Sequence, residues 1–176
     1  MSRKLAVPLA LAAALAMHDA SAAFPTQQFQ AKAVVAGNCT VSESGILDFG
    51  NYDPLTANAS TAQPGAGASL ALLCTRGSHP HIAMDNGSNG SRLLFNGGGG
   101  ANNQLTYDIL MPSGNGAVAT ATATSWGSTA ATKYDVGVTT VSPTTATVVE
   151  IFGTISGGQD VVPGTYTDLV TATVDF

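Results

Sequence analysis

Apolar and polar residues alternate along several short stretches of this chain. The clearest alternation occurs in Gln104–Pro112, and a shorter one occurs in Leu70–Cys74. A period of two residues is typical of a β-strand with one buried face. Both stretches are therefore predicted to be core strands. Their predicted inward positions are Leu70, Leu72, Cys74, Leu105, Tyr107 and Ile109.

Further short strands are predicted between segments rich in Gly, Asn, Pro and Ser. They lie at Thr40–Val41, Ile46–Phe49, His81–Asp85, Lys133–Val141 and Val148–Ser156. Residues 56–69 are small and polar and contain Pro64, so a loop or sheet edge is predicted there. We find no segment with a convincing amphipathic helical period. About seven short strands separated by turns predict an all-β sandwich.

Both ends of the chain after residue 23 also alternate, yet neither end has a local hairpin partner. Near the start, one face of the predicted strand carries Phe29, Ala31, Ala33 and Val35. In the final segment, Thr165–Phe176, one face carries Val170, Ala172, Val174 and Phe176. A strand without a partner exposes hydrogen-bonding groups that can pair with another chain. The two ends are therefore candidates for strand pairing with another molecule.

The first 23 residues have the features of a secretory signal peptide. Arg3 and Lys4 precede an apolar stretch, Leu5–Met17, which is too short for the ~20 residues of a membrane-spanning helix. Small residues follow, and cleavage is predicted after Ala23, with Ala22 as the alternative. We expect export through a periplasm to the cell surface. The expected organisation is a signal peptide at 1–23, a terminal strand segment at 24–37 and one domain at 38–176.

The composition narrows the possible functions. Only 10% of the residues are charged, and the net charge is −5. After residue 23 the basic residues are Lys32, Arg76, Arg92 and Lys133. An acidic chain with so few basic residues is poorly suited to bind nucleic acid or an anionic membrane.

The sequence contains two cysteines, Cys39 and Cys74. In an exported protein such a pair is expected to form a disulfide, and neither belongs to a Cys-x-x-Cys motif. A disulfide between them closes a loop of about 35 residues, and it would stabilise the fold by about 3–4 kcal/mol because it lowers the entropy of the unfolded chain.

Seven short stretches occur in an order that covers nearly the whole chain after residue 23. They are AGNCTV, LDFGNYDP (Leu47–Pro54), LLCTRG (Leu72–Gly77), LTYDI (Leu105–Ile109), Trp126-Gly127, EIFGTI (Glu150–Ile155) and PGTYTDLVTATVDF (Pro163–Phe176). Together they resemble the spore coat protein U domain, the family of the archaic (Csu-type) chaperone–usher pilins. The resemblance implies an incomplete immunoglobulin-like β-sandwich that is completed by donor-strand complementation, in which a strand from another molecule is added.

The resemblance also implies roles for the two unpaired ends. Phe29, Ala31, Ala33 and Val35 would be the donor face that fills the groove of a neighbouring subunit. Val170, Ala172, Val174 and Phe176 would line the acceptor groove, where a periplasmic chaperone would bind first and anchor the terminal carboxylate. The implied partners are other pilin subunits, this chaperone and an outer-membrane usher. The implied function is a shaft or minor subunit of an extracellular pilus that supports adhesion and biofilm formation.

Other functions are less favoured by the sequence. A secreted surface- or carbohydrate-binding module could use Trp126 or residues 113–130. A hydrolase is disfavoured because the usual nucleophile, metalloprotease and paired-carboxylate patterns are not found, so no catalytic residue and no cofactor are expected. His79 and His81 would share a face, but the sequence offers no third nearby ligand, so no metal is expected. Asp85–Gly90 resembles a calcium loop but lacks the required bidentate glutamate.

Overall fold

A computed structural model of the chain describes residues 24–98, 101–116 and 118–176. The predicted signal peptide, residues 1–23, lies outside the described residues. The chain divides into two units, Met1–Val34 and Val35–Phe176. The described part of the first unit, residues 24–34, is exposed and contains no helix or strand.

The second unit is built from β-strands, which confirms the predicted all-β class. Nine strands lie within the residues that the structure describes: β1 (Cys39–Ser44), β2 (Gln63–Cys74), β3 (His81–Met84), β4 (Leu93–Phe95), β5 (Gln104–Pro112), β6 (Ala121–Ser125), β7 (Tyr134–Asp135), β8 (Thr147–Ile155) and β9 (Ala172–Asp175). Within the described ranges, no helix has the length and apolarity needed to cross a membrane.

The strands form two antiparallel sheets of unequal size. The larger sheet has the order β1-β2-β8-β5-β4, with β6 also paired to β5, and the smaller sheet has the order β7-β3-β9. In the larger sheet Leu70 lies opposite Val149, and Tyr107 lies opposite Ile155. The apolar inner face of six strands is therefore faced by a sheet of three.

The alternation in the sequence identified the centre of the core correctly. Leu70, Leu72 and Cys74 of β2 are buried, as are Leu105, Tyr107 and Ile109 of β5. Trp126 is buried as well, and its indole Nε1 donates a hydrogen bond to the carbonyl oxygen of Ile82 at 2.8 Å. This bond satisfies the polar atom of the indole and connects the segment after β6 to the smaller sheet.

Cys39 and Cys74 form a disulfide, as predicted. The two residues are directly opposite each other at the end of the β1–β2 pairing. The bond therefore fastens the first strand of the domain to a strand that also pairs with β8, and it closes a loop spanning 35 positions of sequence separation.

Of two predictions near the start of the domain, one was right in part and the other was wrong. Residues 56–62 lie outside the strands, as predicted, whereas residues 63–69 belong to β2. β1 pairs only with Ser69–Cys74 of β2, so residues 63–68 lie at a sheet edge. Pro64 is tolerated close to the start of the strand, and a bulge between Gly65 and Ala68 absorbs the irregular sequence. Ile46–Phe49 is not a strand, apart from a single bridge between Asp48 and Ala66.

The ring of Phe49 explains this local departure from a strand. A Cβ atom added at Gly65 would lie 2.5 Å from Cδ1 of the ring, and one added at Gly153 would lie 2.9 Å from Cζ. The ring thus packs directly on the backbone of β2 and β8. Two glycines on neighbouring strands make room for one aromatic side chain.

Two later predictions were right in part. The final strand extends over Ala172–Asp175 rather than from Thr165, and the preceding residues form one bridge, between Thr167 and Phe95. The strand predicted at Lys133–Val141 is reduced to the two residues of β7. β6 was not predicted, because its Ala, Thr and Ser residues show no apolar alternation.

We expect Leu72→Ala to destabilise the domain by about 3 kcal/mol, because it opens a cavity in a fully buried site. Leu73→Ala is the matched control: the neighbouring side chain on the same strand is 39% exposed, and its loss should cost less than about 1 kcal/mol. Denaturant unfolding of the unmodified chain and the two variants measures both changes in the free energy of unfolding. Equal losses at the two positions would contradict the assigned inward face of β2.

Candidate functional site

A groove of about 1630 Å³ lies along the inner side of the larger sheet. Leu70, Ile109 and Ile151, on three neighbouring strands of that sheet, contribute to its lining. Residues of two irregular segments, 45–55 and 158–171, also line it. The unequal sizes of the two sheets account for this opening, because the three-stranded sheet and these segments together leave part of the apolar face accessible.

The groove borders strands that lie at the ends of their sheets. Val41 and Glu43 of β1 line it, and so does Ala172 of β9. Among the described residues, β1 pairs only with β2, and β9 pairs only with β3. Each strand therefore keeps one backbone edge available for a further strand.

Several large apolar side chains around the groove are exposed to solvent. Ile46 and Leu169 are each 74% exposed, and Leu55 is 87% exposed. Val41 and Val162 line the groove too and are partly exposed. Contiguous apolar surface of this kind is typical of a site that binds a partner.

The predicted acceptor residues occupy different positions. Val170 and Ala172 are half-buried and line the groove. Val174 is half-buried against the core and lies opposite Ile82. Phe176 is mostly exposed. Neither Val174 nor Phe176 lines the groove. The polar neighbours Thr171, Thr173 and Asp175 are exposed, so the alternation in the sequence is retained.

The predicted donor residues lie in the first unit and at the start of the second. Phe29 is 91% exposed, and Ala31 and Ala33 are exposed as well. Val35, the first residue of the second unit, is also exposed. An exposed phenylalanine outside any helix or strand has apolar area to bury in an interaction.

Asp168 holds one wall of the groove in position. Its carboxylate accepts hydrogen bonds from the Tyr107 hydroxyl at 2.8 Å, from Ser88 Oγ at 3.0 Å and from the Asn89 backbone N–H at 3.1 Å. Asp168 also accepts a hydrogen bond from the backbone N–H of its neighbour Leu169. Its long-range bonds were not predictable, because they join segments about 60 to 80 positions apart.

Tyr107 is a core residue with its hydroxyl directed at this wall. Burial, together with the hydrogen bond and negative charge of Asp168, raises the pKa of the Tyr107 phenol above its ordinary value. The phenol therefore stays protonated and remains a hydrogen-bond donor. The guanidinium of Arg92 lies 6.0 Å from the Tyr107 ring centroid, and its Nη2 donates to the Trp126 carbonyl oxygen. Sequence reasoning did not identify this buried arginine.

The alternative binding site at Trp126 has little support from the structure. Trp126 is 1% exposed and packs against Tyr134 with ring centroids 5.5 Å apart. An indole that stacks on a sugar has to expose one face. Trp126 is thus a core residue, and Tyr107 is one too, as its predicted inward position indicated.

His79, His81 and Asp135 form a second polar cluster, away from the groove lining. Nε2 of His79 lies 2.8 Å from one carboxylate oxygen of Asp135, and Nε2 of His81 lies 4.0 Å from the other. The sequence offered no third ligand for the two histidines, and the pairing of β3 with β7 supplies one. Desolvation opposes ionisation of Asp135, but bonds from the Gly137 N–H and His79 outweigh it and lower the carboxyl pKa.

The calcium-like segment 85–90 uses its acidic group internally. Oδ1 of Asp85 accepts hydrogen bonds from the backbone N–H groups of Gly87 and Thr171. Asp53 likewise accepts hydrogen bonds from the backbone N–H groups of Leu55 and Thr56, so it caps a turn.

We expect Asp168→Ala to destabilise the domain by about 1–3 kcal/mol, because it leaves the half-buried hydroxyl of Tyr107 without its acceptor. Asp160→Ala is the control, since Asp160 is exposed and accepts one side-chain bond, from Asn102. Its loss should cost less than about 0.5 kcal/mol. Urea unfolding measures both losses of stability. If Asp168→Ala were as stable as the unmodified chain, Asp168 would not anchor the groove wall.

Comparison with known proteins places this fold in a family. The chain is 29% identical over 185 residues to Protein U of Myxococcus xanthus, covering 98% of this chain and 96% of that protein. It also resembles a solved structure, the CsuC–CsuE chaperone–tip adhesion subunit pre-assembly complex from archaic chaperone–usher Csu pili of Acinetobacter baumannii. The TM-score is 0.51 at 22% identity, with 81% of this chain and 40% of that chain covered, so this likeness concerns the fold. The family model for the Spore Coat Protein U domain matches residues 25–173, and the chain therefore belongs to the Spore Coat Protein U domain family.

Proposed function

We propose that this protein is a structural subunit of a chaperone–usher pilus and that it polymerises by donor-strand exchange. The segment containing Phe29, Ala31, Ala33 and Val35 of one subunit enters the groove of the next. The observation that carries this proposal is the apolar groove beside the available backbone edges of β1 and β9. An added strand satisfies those edges and covers the apolar lining at the same time.

The length of the donor segment suits the site. At about 3.3 Å per residue, the seven residues from Phe29 to Val35 span roughly 23 Å, and the six residues of β1 span roughly 20 Å. A donor of this length can pair with the whole of β1. Its side chains at every second position then point toward the groove, and Gln30 and Lys32 point away.

Burial of apolar surface supplies much of the driving force. Phe29 is the largest side chain of the donor face, and its full burial is worth about 2–3 kcal/mol. The alanines contribute less, so the acceptor has to supply the remaining apolar area. Exposed Ile46, Leu55 and Leu169 at the groove are suited to this role.

The same groove is suited to a periplasmic chaperone before assembly, since a chaperone strand can occupy it in the same manner. The similar Csu structure is itself a complex of a chaperone with a pilus subunit. An outer-membrane usher and other pilin subunits complete the proposed set of partners. In this proposal the protein is a non-catalytic shaft or minor subunit at the cell surface, and it supports adhesion and biofilm formation.

We expect Phe29→Asp to weaken subunit association roughly 30-fold or more, because it removes the main apolar contact and buries a carboxylate. Gln30→Asp introduces the same charge on the opposite face of the donor strand and should leave association within about threefold. Size-exclusion chromatography with light scattering, over a range of protein concentrations, measures the association.

Deletion of residues 24–36 provides an independent test. A pilin loses self-assembly in this variant, whereas a secreted surface- or carbohydrate-binding module stays folded and unchanged in mass. Two results would exclude the donor role of this segment. One is that Phe29→Asp forms multimers as fully as the unmodified chain does, and the other is that the unmodified chain stays monomeric at all concentrations.

A further inference from the structure

We propose that His79, His81 and Asp135 form a binding site for a divalent transition-metal ion of the Zn²⁺ or Cu²⁺ class. The three side chains each offer one ligand atom, and these atoms lie within 4.8 Å of one another. Two imidazole nitrogens and one carboxylate oxygen are the donor set that such ions prefer. The site is independent of the proposed pilus function.

The backbone around the cluster is held from several directions. His81 lies opposite Asp135 of β7 on one side and opposite Asp175 of β9 on the other. Pro80, between the two histidines, is fully buried. The two rings lie on the outer side, with their centroids 4.6 Å apart.

A hydrogen bond fixes the orientation and tautomer of His81. Its Nδ1 lies 3.1 Å from the carbonyl oxygen of His79, which can only accept, so Nδ1 carries the proton. The lone pair of the neutral ring is therefore at Nε2, which faces a carboxylate oxygen of Asp135 at 4.0 Å. Two electron-pair donors that face each other at this distance can both bind one cation placed between them. A backbone carbonyl that orients a histidine in this way is typical of metal ligands.

Asp135 is also oriented for binding. Its Oδ1 accepts the Gly137 backbone N–H at 2.8 Å and lies 2.8 Å from His79 Nε2. The neighbouring acidic residue, Asp175, pairs with Lys133 and is not needed as a ligand. The carboxylate of Asp135 thus provides the negative charge that faces both imidazoles.

Small rotations of the side chains suffice to complete the site. A tetrahedral ion with bonds of about 2.0–2.1 Å holds its ligand atoms roughly 3.3 Å apart. His79 Nε2 lies 2.8 Å from Oδ1 of Asp135 and His81 Nε2 lies 4.0 Å from Oδ2, so the two separations bracket that value. The three side chains are 39–55% exposed, so little packing opposes the adjustment. Water completes the coordination.

A bound ion would tie together the weakest part of the smaller sheet. β7 has two residues, and its register with β3 consists of two pairs, one of which is His81 with Asp135. The other β7 residue, Tyr134, packs against Trp126. An ion that bridges β3 and β7 therefore stabilises the contact between this short strand and the aromatic core.

Titration of the exported chain, prepared without a polyhistidine tag, with Zn²⁺ alone tests the site. Isothermal calorimetry should give one ion per chain with a dissociation constant of about 10 µM or lower. His79→Ala and His81→Ala should each weaken binding at least 10-fold, and Asp135→Asn roughly 3- to 10-fold. Asp160→Asn, which removes one exposed carboxylate elsewhere, should stay within about twofold.

Cu²⁺ provides a second readout that does not depend on affinity. The electron paramagnetic resonance spectrum should show coupling to two imidazole nitrogens in the unmodified chain and to one in each histidine variant. Saturating Zn²⁺ should also raise the thermal midpoint of the unmodified chain by roughly 5 °C and leave that of His81→Ala unchanged. Absence of saturable binding below 1 mM, or equal affinity in all variants, would overturn the proposal.

Discussion

The mismatch between the two sheets determines the rest of this structure. The larger sheet presents an apolar inner face that is wider than the three strands packed over it. The hydrophobic effect favours covering that face, and the chain covers part of it with irregular segments held by specific contacts. Phe49 packs on the glycines of β2 and β8, and Asp168 fastens the segment before β9 to Tyr107. What these segments leave accessible is the groove.

The groove is apolar for the same reason that the core is. Leu70 and Ile109, buried residues of the larger sheet, belong both to the core and to the groove lining. A strand added there would extend the existing core rather than create a separate binding site. Specificity can then arise from the side chains at alternate positions of the added strand, while its backbone satisfies the available edges of β1 and β9.

Polar contacts fix the geometry at the margins of this apolar framework. The Tyr107 hydroxyl and the Asp168 carboxylate position a groove wall, and the buried guanidinium of Arg92 bonds to the Trp126 carbonyl oxygen. On the outer side of the smaller sheet, the pairing of β3 with β7 gathers His79, His81 and Asp135. In each case residues distant in sequence meet because strands pair, and each such meeting satisfies a polar group or assembles a set of ligands.

The sequence by itself determined the local pattern. Alternation predicted the all-β class, the extent of β5 and the inward residues of β2, because a strand with one buried face requires a period of two. Two cysteines in a chain expected to be exported predicted the disulfide. The tertiary structure decided what depends on long-range pairing: the start of β2 at Gln63, the restriction of the last strand to Ala172–Asp175 and the third member of the histidine cluster. Sequence periodicity reports which face of a strand is buried, but not which strands become neighbours, and the groove wall and the cluster exist only through those neighbours.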